Sequence, residues 1–260
     1  MTAAHRVGLI VPSSNTTMET ELPELLRRQG DGHPDQRFTF HSARARMQQV
    51  TEEELRRMNA ETERAATQLA DARPDVVATA CLVAIMAQGR GYHCTAEEAI
   101  GAALRSAGAD APVVSSAGAL LEALRHLGAR RVAMVTPYMR PLTKLVAEYV
   151  EDAGIEVHDA LSLEVPDNRA VAALDPDGLR DHWRKLDLDG CDALVISACV
   201  QMPSLPVVAD VERESGLPTL SASTATAWAV LRALGIEPAI ADAGRLLAGT
   251  GVASGRGSGA

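Results

Sequence analysis

The chain reads as an α/β protein built from two pseudosymmetric halves, each a mostly parallel four-stranded sheet flanked by helices. Three observations carry that reading. Strand-like and helix-like segments alternate along the chain, the rhythm that produces parallel sheets. Hydrophobic residues make up 47% of the 260 residues and aromatics only 3%, so the core must be Ala, Val and Leu, which helices and parallel strands accept. The second half also echoes the first: "VGLIVP" from Val7 returns as "VAMVTP" from Val132, and "TAC" ending at Cys81 returns as "SAC" ending at Cys199. The two spacings, 125 and 118 residues, are close and in the same order, as a duplicated unit with one loop difference would give.

The elements follow in order. "RVGLIVPS" is a short buried strand, and "TTMETELPELLRR" a helix for which Thr16 and Glu19 are expected to form a capping box. "RFTFHSARARM" alternates as a strand, and "TEEELRRMNAETERAATQLADA" is a long amphipathic helix with Thr51 and Glu54 as its box. "DVVATAC", "TAEEAIGAALRSAG", "APVVSSA" and "GALLEALRHLG" then read as strand, helix, strand, helix. The pattern restarts with the strand "RRVAMVTPY", the helix "MRPLTKLVAEYVEDAG" and the strand "IEVHDALSLEV". "DPDGLRDHWRKLD" is expected to be helical, followed by "CDALVISAC" (strand), "SLPVVADVERESG" (helix), "LPTLSAS" (strand) and "TATAWAVLRALG" (helix). The expected division is a first half at 1–118 carrying Cys81, whose last helix packs across, a second at 119–235 carrying Cys199, and a C-terminal segment at 236–260.

Bulk properties narrow the function. A net charge of −9, with no Lys/Arg cluster interleaved with aromatics, argues against nucleic acid as a partner. It also gives no long-range attraction to an anionic ligand, so local donors would have to hold one. The N-terminus has no secretory signal, and no apolar stretch reaches membrane-spanning length. A soluble cytoplasmic protein without a membrane partner is the expectation, with its four cysteines reduced. The tail "GTGVASGRGSGA" is small, polar and glycine-rich and is expected to be disordered. No metal is expected: Cys94 beside His93 lacks a spaced partner set, and the seven histidines form no HExxH. "QGRGYH" resembles a dinucleotide loop only superficially, because no strand precedes it and the third glycine is missing.

The chemistry-bearing residues are two of the four cysteines. Ligands of open α/β sheets bind beyond the carboxyl ends of the strands, where both Cys81 and Cys199 lie, each before an expected helix. If the halves face each other, two thiols converge on one cleft, the candidate active site. Helix-start amides would favour the thiolate and would also cradle carboxylates. A cysteine at a strand end is often only a small buried hydrophobe, but matched positions in both halves favour a functional role. Cys191, after Gly190, reads as structural.

With their flanks, "GLIVPSSNTTMETELP", "CLVAIMAQGRGYH", "VTPYM" and "SACVQMPSL", these cysteines resemble the maleate cis-trans isomerases of the Asp/Glu racemase superfamily, over nearly the whole chain. The resemblance implies a cofactor-free, usually dimeric enzyme that converts maleate to fumarate. It implies Cys81 as nucleophile and Cys199 as acid/base, with Asn15, Tyr138 and Asn168 on substrate-binding positions, and no departure at these five residues. Ser14, Val83 and Val200 are expected at the pocket wall or as backbone donors, and Met202 with Met86 as residues that could close it. Read singly, Asn15 and Asn168 are turn residues and Tyr138 a packing residue. Two opposed cysteines equally suit an amino-acid or hydantoin racemase, and a non-catalytic diacid-binding protein would leave both thiols as core residues. The flanking motifs favour the isomerase.

Overall fold

The computed structural model describes residues 4–48 and 51–249. The glycine-rich tail lies outside the described residues apart from Gly249.

Two four-stranded sheets form, and every strand pairing in both is parallel. The first contains β1 (His5–Pro12), β2 (Phe38–Ala45), β3 (Val76–Thr79) and β4 (Val113–Ser115) in the order β2-β1-β3-β4. The second contains β5 (Arg131–Thr136), β6 (Glu156–Ser162), β7 (Ala193–Ser197) and β8 (Thr219–Ser221) in the order β6-β5-β7-β8. The two orders are the same topology, so the echo between Val7 and Val132 is a structural repeat. Each cysteine follows the third strand of its sheet.

The helices of the first half are α1 (Met18–Gly32), α2 (Glu52–Ala70), α3 (Leu82–Met86), α4 (Tyr92–Ser106) and α5 (Ser116–His126). The second half supplies α6 (Arg140–Asp152), α7 (Asn168–Ala172), α8 (Gly178–His182), α9 (Val208–Ser215) and α10 (Ala222–Ala233). Alternation along β1 divides the core. Val7, Leu9 and Val11 face the large cluster that runs through both halves, whereas Ile10 packs outward with Leu69 of α2 and Ile100 and Leu104 of α4. A side chain at Gly8 would meet Val77 at 3.1 Å and Pro74 at 3.3 Å, so glycine there lets the outer layer close onto β1. α10 belongs to the second half by sequence yet packs on α1, α5, β3 and β4 of the first.

Serine ends the last strand of each sheet and caps the helix that follows. Ser115 accepts the Gly118 amide, and Ser221 forms a full capping box with Thr224. Three expectations change. α1 starts at Met18 and no Thr16–Glu19 box forms: Asn15 Oδ1 accepts the Thr17 and Met18 amides at 3.0 and 2.9 Å, and Glu19 is drawn to Arg44. The helix expected from Asp175 is delayed to Gly178, because Asp175 takes the Asp177 amide in a turn, and it ends in a 3-10 turn at Trp183–Lys185. The five-residue α7 forms where a simple turn was expected, capped by Asp167, which accepts the Arg169 and Ala170 amides. For α2 the Thr51 half of the expected box forms, with Thr51 accepting the Glu54 amide at 3.4 Å, and Glu54 Oε2 accepts the Gln48 amide.

The segment "QGRGYH" forms the turn between α3 and α4 and, with Tyr92 and His93, the start of α4. Gly89 and Gly91 both have positive φ, 107° and 67°, and Gly91 is the left-handed residue that precedes α4. No described helix is long and apolar enough to cross a membrane.

Candidate active site

The ends of β1, β3, β5 and β7 meet where the halves face each other. A small, mostly enclosed cavity there is lined by Cys81, Leu82 and Val83 after β3, and by Cys199, Val200 and Gln201 after β7. Pro12, Asn15, Met47, Tyr138 and Asn168 complete its wall. Seven of the eight residues singled out from sequence therefore surround one space. The eighth, Ser14, lies just outside and accepts a hydrogen bond from Asn168 Nδ2 at 2.8 Å. Met86 and Met202 do not line the cavity and are core residues; the methionine at the wall is Met47, held at β1 by paired bonds between its backbone and Ser13 Oγ.

Both thiols are free and buried, at 8% and 7% exposure. Cys81 is the residue before α3, and the Ala84 and Val83 amides favour its thiolate. Cys199 is approached by the Gln201 amide at 3.4 Å and by the Tyr138 hydroxyl, which also donates to the Ala198 carbonyl at 3.2 Å. At Cys81 the donors are the expected helix-start amides, whereas Cys199 is followed by a turn, with helical structure resuming only at Leu205; at both, burial overrides the donors. Desolvation, with the second thiol facing it, pushes Cys81 from 9.0 up to about 12. Desolvation raises Cys199 as well, against the opposing pull of Tyr138 and two backbone amides. The expectation of thiolates stabilised at helix starts is thus corrected: burial holds both thiols protonated at neutral pH. Tyr138 is likewise raised well above 10.0 by burial and by the two sulfurs, so its hydroxyl remains a donor.

Asn15 has its orientation dictated by its neighbours. Both atoms facing it across the α1 start are N–H donors, so its oxygen must face them and its Nδ2 is left for the cavity. Asn168, 4% exposed, stands at the first position of α7. Together with the Tyr138 hydroxyl, these groups give the cavity neutral donors and no fixed cation, while two proton-carrying sulfurs share its wall. Such a site suits a small dianion that reacts with a thiol.

Sequence reasoning passed over Pro12, Met47 and Gln201 in the lining; Gln201, the polar one, lies inside the quoted motif "SACVQMPSL". A polar residue two positions after a strand-end cysteine, amid apolar neighbours, was the available signal.

Comparison with known proteins agrees with this geometry. A profile of the arylmalonate decarboxylase family (Amdase) matches residues 7–247. A maleate isomerase from Geobacillus stearothermophilus is 51% identical over 244 residues, covering 94% of this chain and 97% of that protein. Among solved structures, a maleate-bound cysteine-to-alanine variant of the Pseudomonas putida S16 maleate isomerase superposes with a TM-score of 0.94 at 50% identity, covering 95% and 99% of the two chains. A cysteine-to-serine variant of the Nocardia farcinica maleate cis-trans isomerase, with a covalently bound succinylcysteine intermediate, is 51% identical at a TM-score of 0.91, covering 94% and 98%.

Proposed function

The chain belongs to the arylmalonate decarboxylase family and, within it, to the maleate isomerases, and we propose that it converts maleate to fumarate with Cys81 as nucleophile and Cys199 as acid/base. The observation that carries this reading is the convergence of both strand-end thiols, one from each half, on a single buried cavity with Asn15, Tyr138 and Asn168 in its wall. A racemase would use the same pair of thiols, but identity near 50% over nearly the whole chain lies with the isomerases.

Isomerisation needs the C2–C3 double bond to become single for a time. The resting pair carries two protons, and the one on Cys81 passes to solvent before addition, so that the reacting pair holds Cys81 as thiolate and Cys199 as thiol. Cys81 Sγ bonds to C2 and the π electrons move to C3, delocalised into the adjoining carboxylate. Cys199 delivers its proton to C3 and becomes the thiolate. Rotation about C2–C3 follows. Cys199 then removes a proton from C3, the C–S bond breaks, and fumarate leaves with the starting charge and proton restored. The sulfurs exchange one negative charge, which avoids two thiolates in one desolvated space. Asn15, Asn168, Tyr138 and the amides of the two cysteine loops hold the carboxylates, and their donors stabilise the charge that develops during addition. Val83 and Val200 contribute wall and backbone, and Ser14, just outside, holds Asn168. No cofactor enters these steps.

A Cys199→Ser variant incubated with maleate and digested tests the assignment. An adduct of one maleate on the Cys81 peptide is expected; an adduct on the peptide that spans position 199 would reverse the roles. A homodimer is part of the same reading, supported by the family resemblance and checked by sedimentation velocity. A reducing, cytoplasmic setting is supported by the four unpaired cysteines.

A further inference from the structure

Gln201 is a buried polar residue that the mechanism above leaves without a role. It is 2% exposed, and its carboxamide faces three segments at once. Its Oε1 accepts the Thr16 amide at 3.0 Å, and its Nε2 donates to the Ser14 carbonyl at 3.0 Å and to the Asn168 carbonyl at 2.8 Å. One face offers an N–H and the other offers two carbonyls, so only one orientation of the amide satisfies them. The backbone of the same residue is engaged as well. Its amide approaches Cys199 Sγ, and its carbonyl accepts the Thr17 hydroxyl at 2.8 Å.

Each partner sits beside a substrate-binding group. Ser14, Thr16 and Thr17 flank Asn15 in the first half, Asn168 belongs to the second, and Ser14 Oγ is the acceptor for Asn168 Nδ2. A single side chain therefore joins the loop of Asn15 to the start of α7, across the cleft that the substrate must occupy. α7 is only five residues long and owes little of its placement to its own hydrogen bonds. We propose that Gln201 is a positioning residue, which sets Asn168 and Asn15 at the separation a cis-dicarboxylate requires; the proposal rests on the maleate reading above.

A double-mutant cycle between Gln201 and Asn168 tests it. Gln201→Ala, Asn168→Ala and the double variant are assayed for maleate turnover at enzyme concentrations that keep slow rates readable, with circular dichroism confirming that each is folded. Gln201→Ala is expected to lower kcat/KM about tenfold or more in the otherwise natural chain, chiefly through KM. In the Asn168→Ala chain the loss should be clearly smaller, because one of the two groups it positions is gone and only Asn15 is left to misplace. An equal loss in both backgrounds is what a merely structural role gives, and it overturns the proposal. If Gln201→Ala does not fold, the near-isosteric Gln201→Glu replaces it in the same cycle: it keeps an acceptor for Thr16 but has no donor for the two carbonyls. Turnover by the natural chain separates the two levels. An inactive natural chain overturns the maleate reading and the proposal with it, whereas an active one with an additive cycle overturns the proposal alone.

Discussion

At Cys81 two local influences oppose each other. The Val83 and Ala84 amides favour the thiolate, and desolvation, reinforced by the facing Cys199, favours the thiol and prevails. Where the substrate is a dianion, protonated thiols avoid placing like charges together on binding. The raised pKa also links to folding. The folded chain keeps the Cys81 proton up to about 12 while the unfolded chain releases it near 9.0, so between these values the unfolded state binds fewer protons and stability falls as pH rises. Urea melts from pH 8 to 11 should show that decline, with a shallower slope in Cys81→Ala; equal slopes would contradict the burial account. The two cysteines were legible because they recur at the same place in a repeated pattern. Their protonation was not, because the number of atoms surrounding each sulfur depends on packing between halves that are far apart in sequence.

At the scale of the element, strand and helix order was readable from periodicity, and what periodicity missed were the helix starts. Thr16 and Glu19 have the spacing of a capping box, but the Thr16 amide is taken by Gln201 and Glu19 by Arg44, both distant in sequence. Asn15, two residues ahead of the N-cap Thr17, takes the amides at the α1 start instead. Its hold on the α1 start and its proposed substrate role use different atoms, which makes them separable. Asn15→Ala should lose about 1 kcal/mol of stability together with activity. Asn15→Asp keeps the acceptor oxygens at the helix start and should retain that stability while losing turnover, since it removes the donor and adds a negative charge opposite a dianion. Thermal melts and kcat/KM of the two variants check this, and equal melting losses would contradict it. α7 was missed for a related reason: five residues are too few to show a helical period, and only Asp167 ahead of the turn marked it.

Across the whole molecule the halves are repeats in topology but not separate bodies. The main hydrophobic cluster runs through both sheets, and α10 crosses from the second half to cover β3 and β4 of the first. Buried Glu21 of α1 accepts the Ser204 and Leu205 amides beyond Cys199, a second tie across the cleft. Unfolding should therefore be one cooperative transition, with tryptophan fluorescence and far-UV circular dichroism coinciding in urea; two separated transitions would show that the halves melt alone. The repeat was visible in "VGLIVP" and "VAMVTP", whereas the crossing of α10 left no local trace in the sequence, being a matter of which surface a helix covers. The central claim is that two thiols, one from each repeat, jointly interconvert a dicarboxylate. It is tested most directly by proton NMR of reduced, chelator-treated protein mixed with maleate, beside Cys81→Ala and Cys199→Ala. The account predicts fumarate from the natural chain and a loss of about a thousandfold or more in each variant. Unchanged maleate with the natural chain, or fumarate formed at the natural rate by either variant, would contradict it.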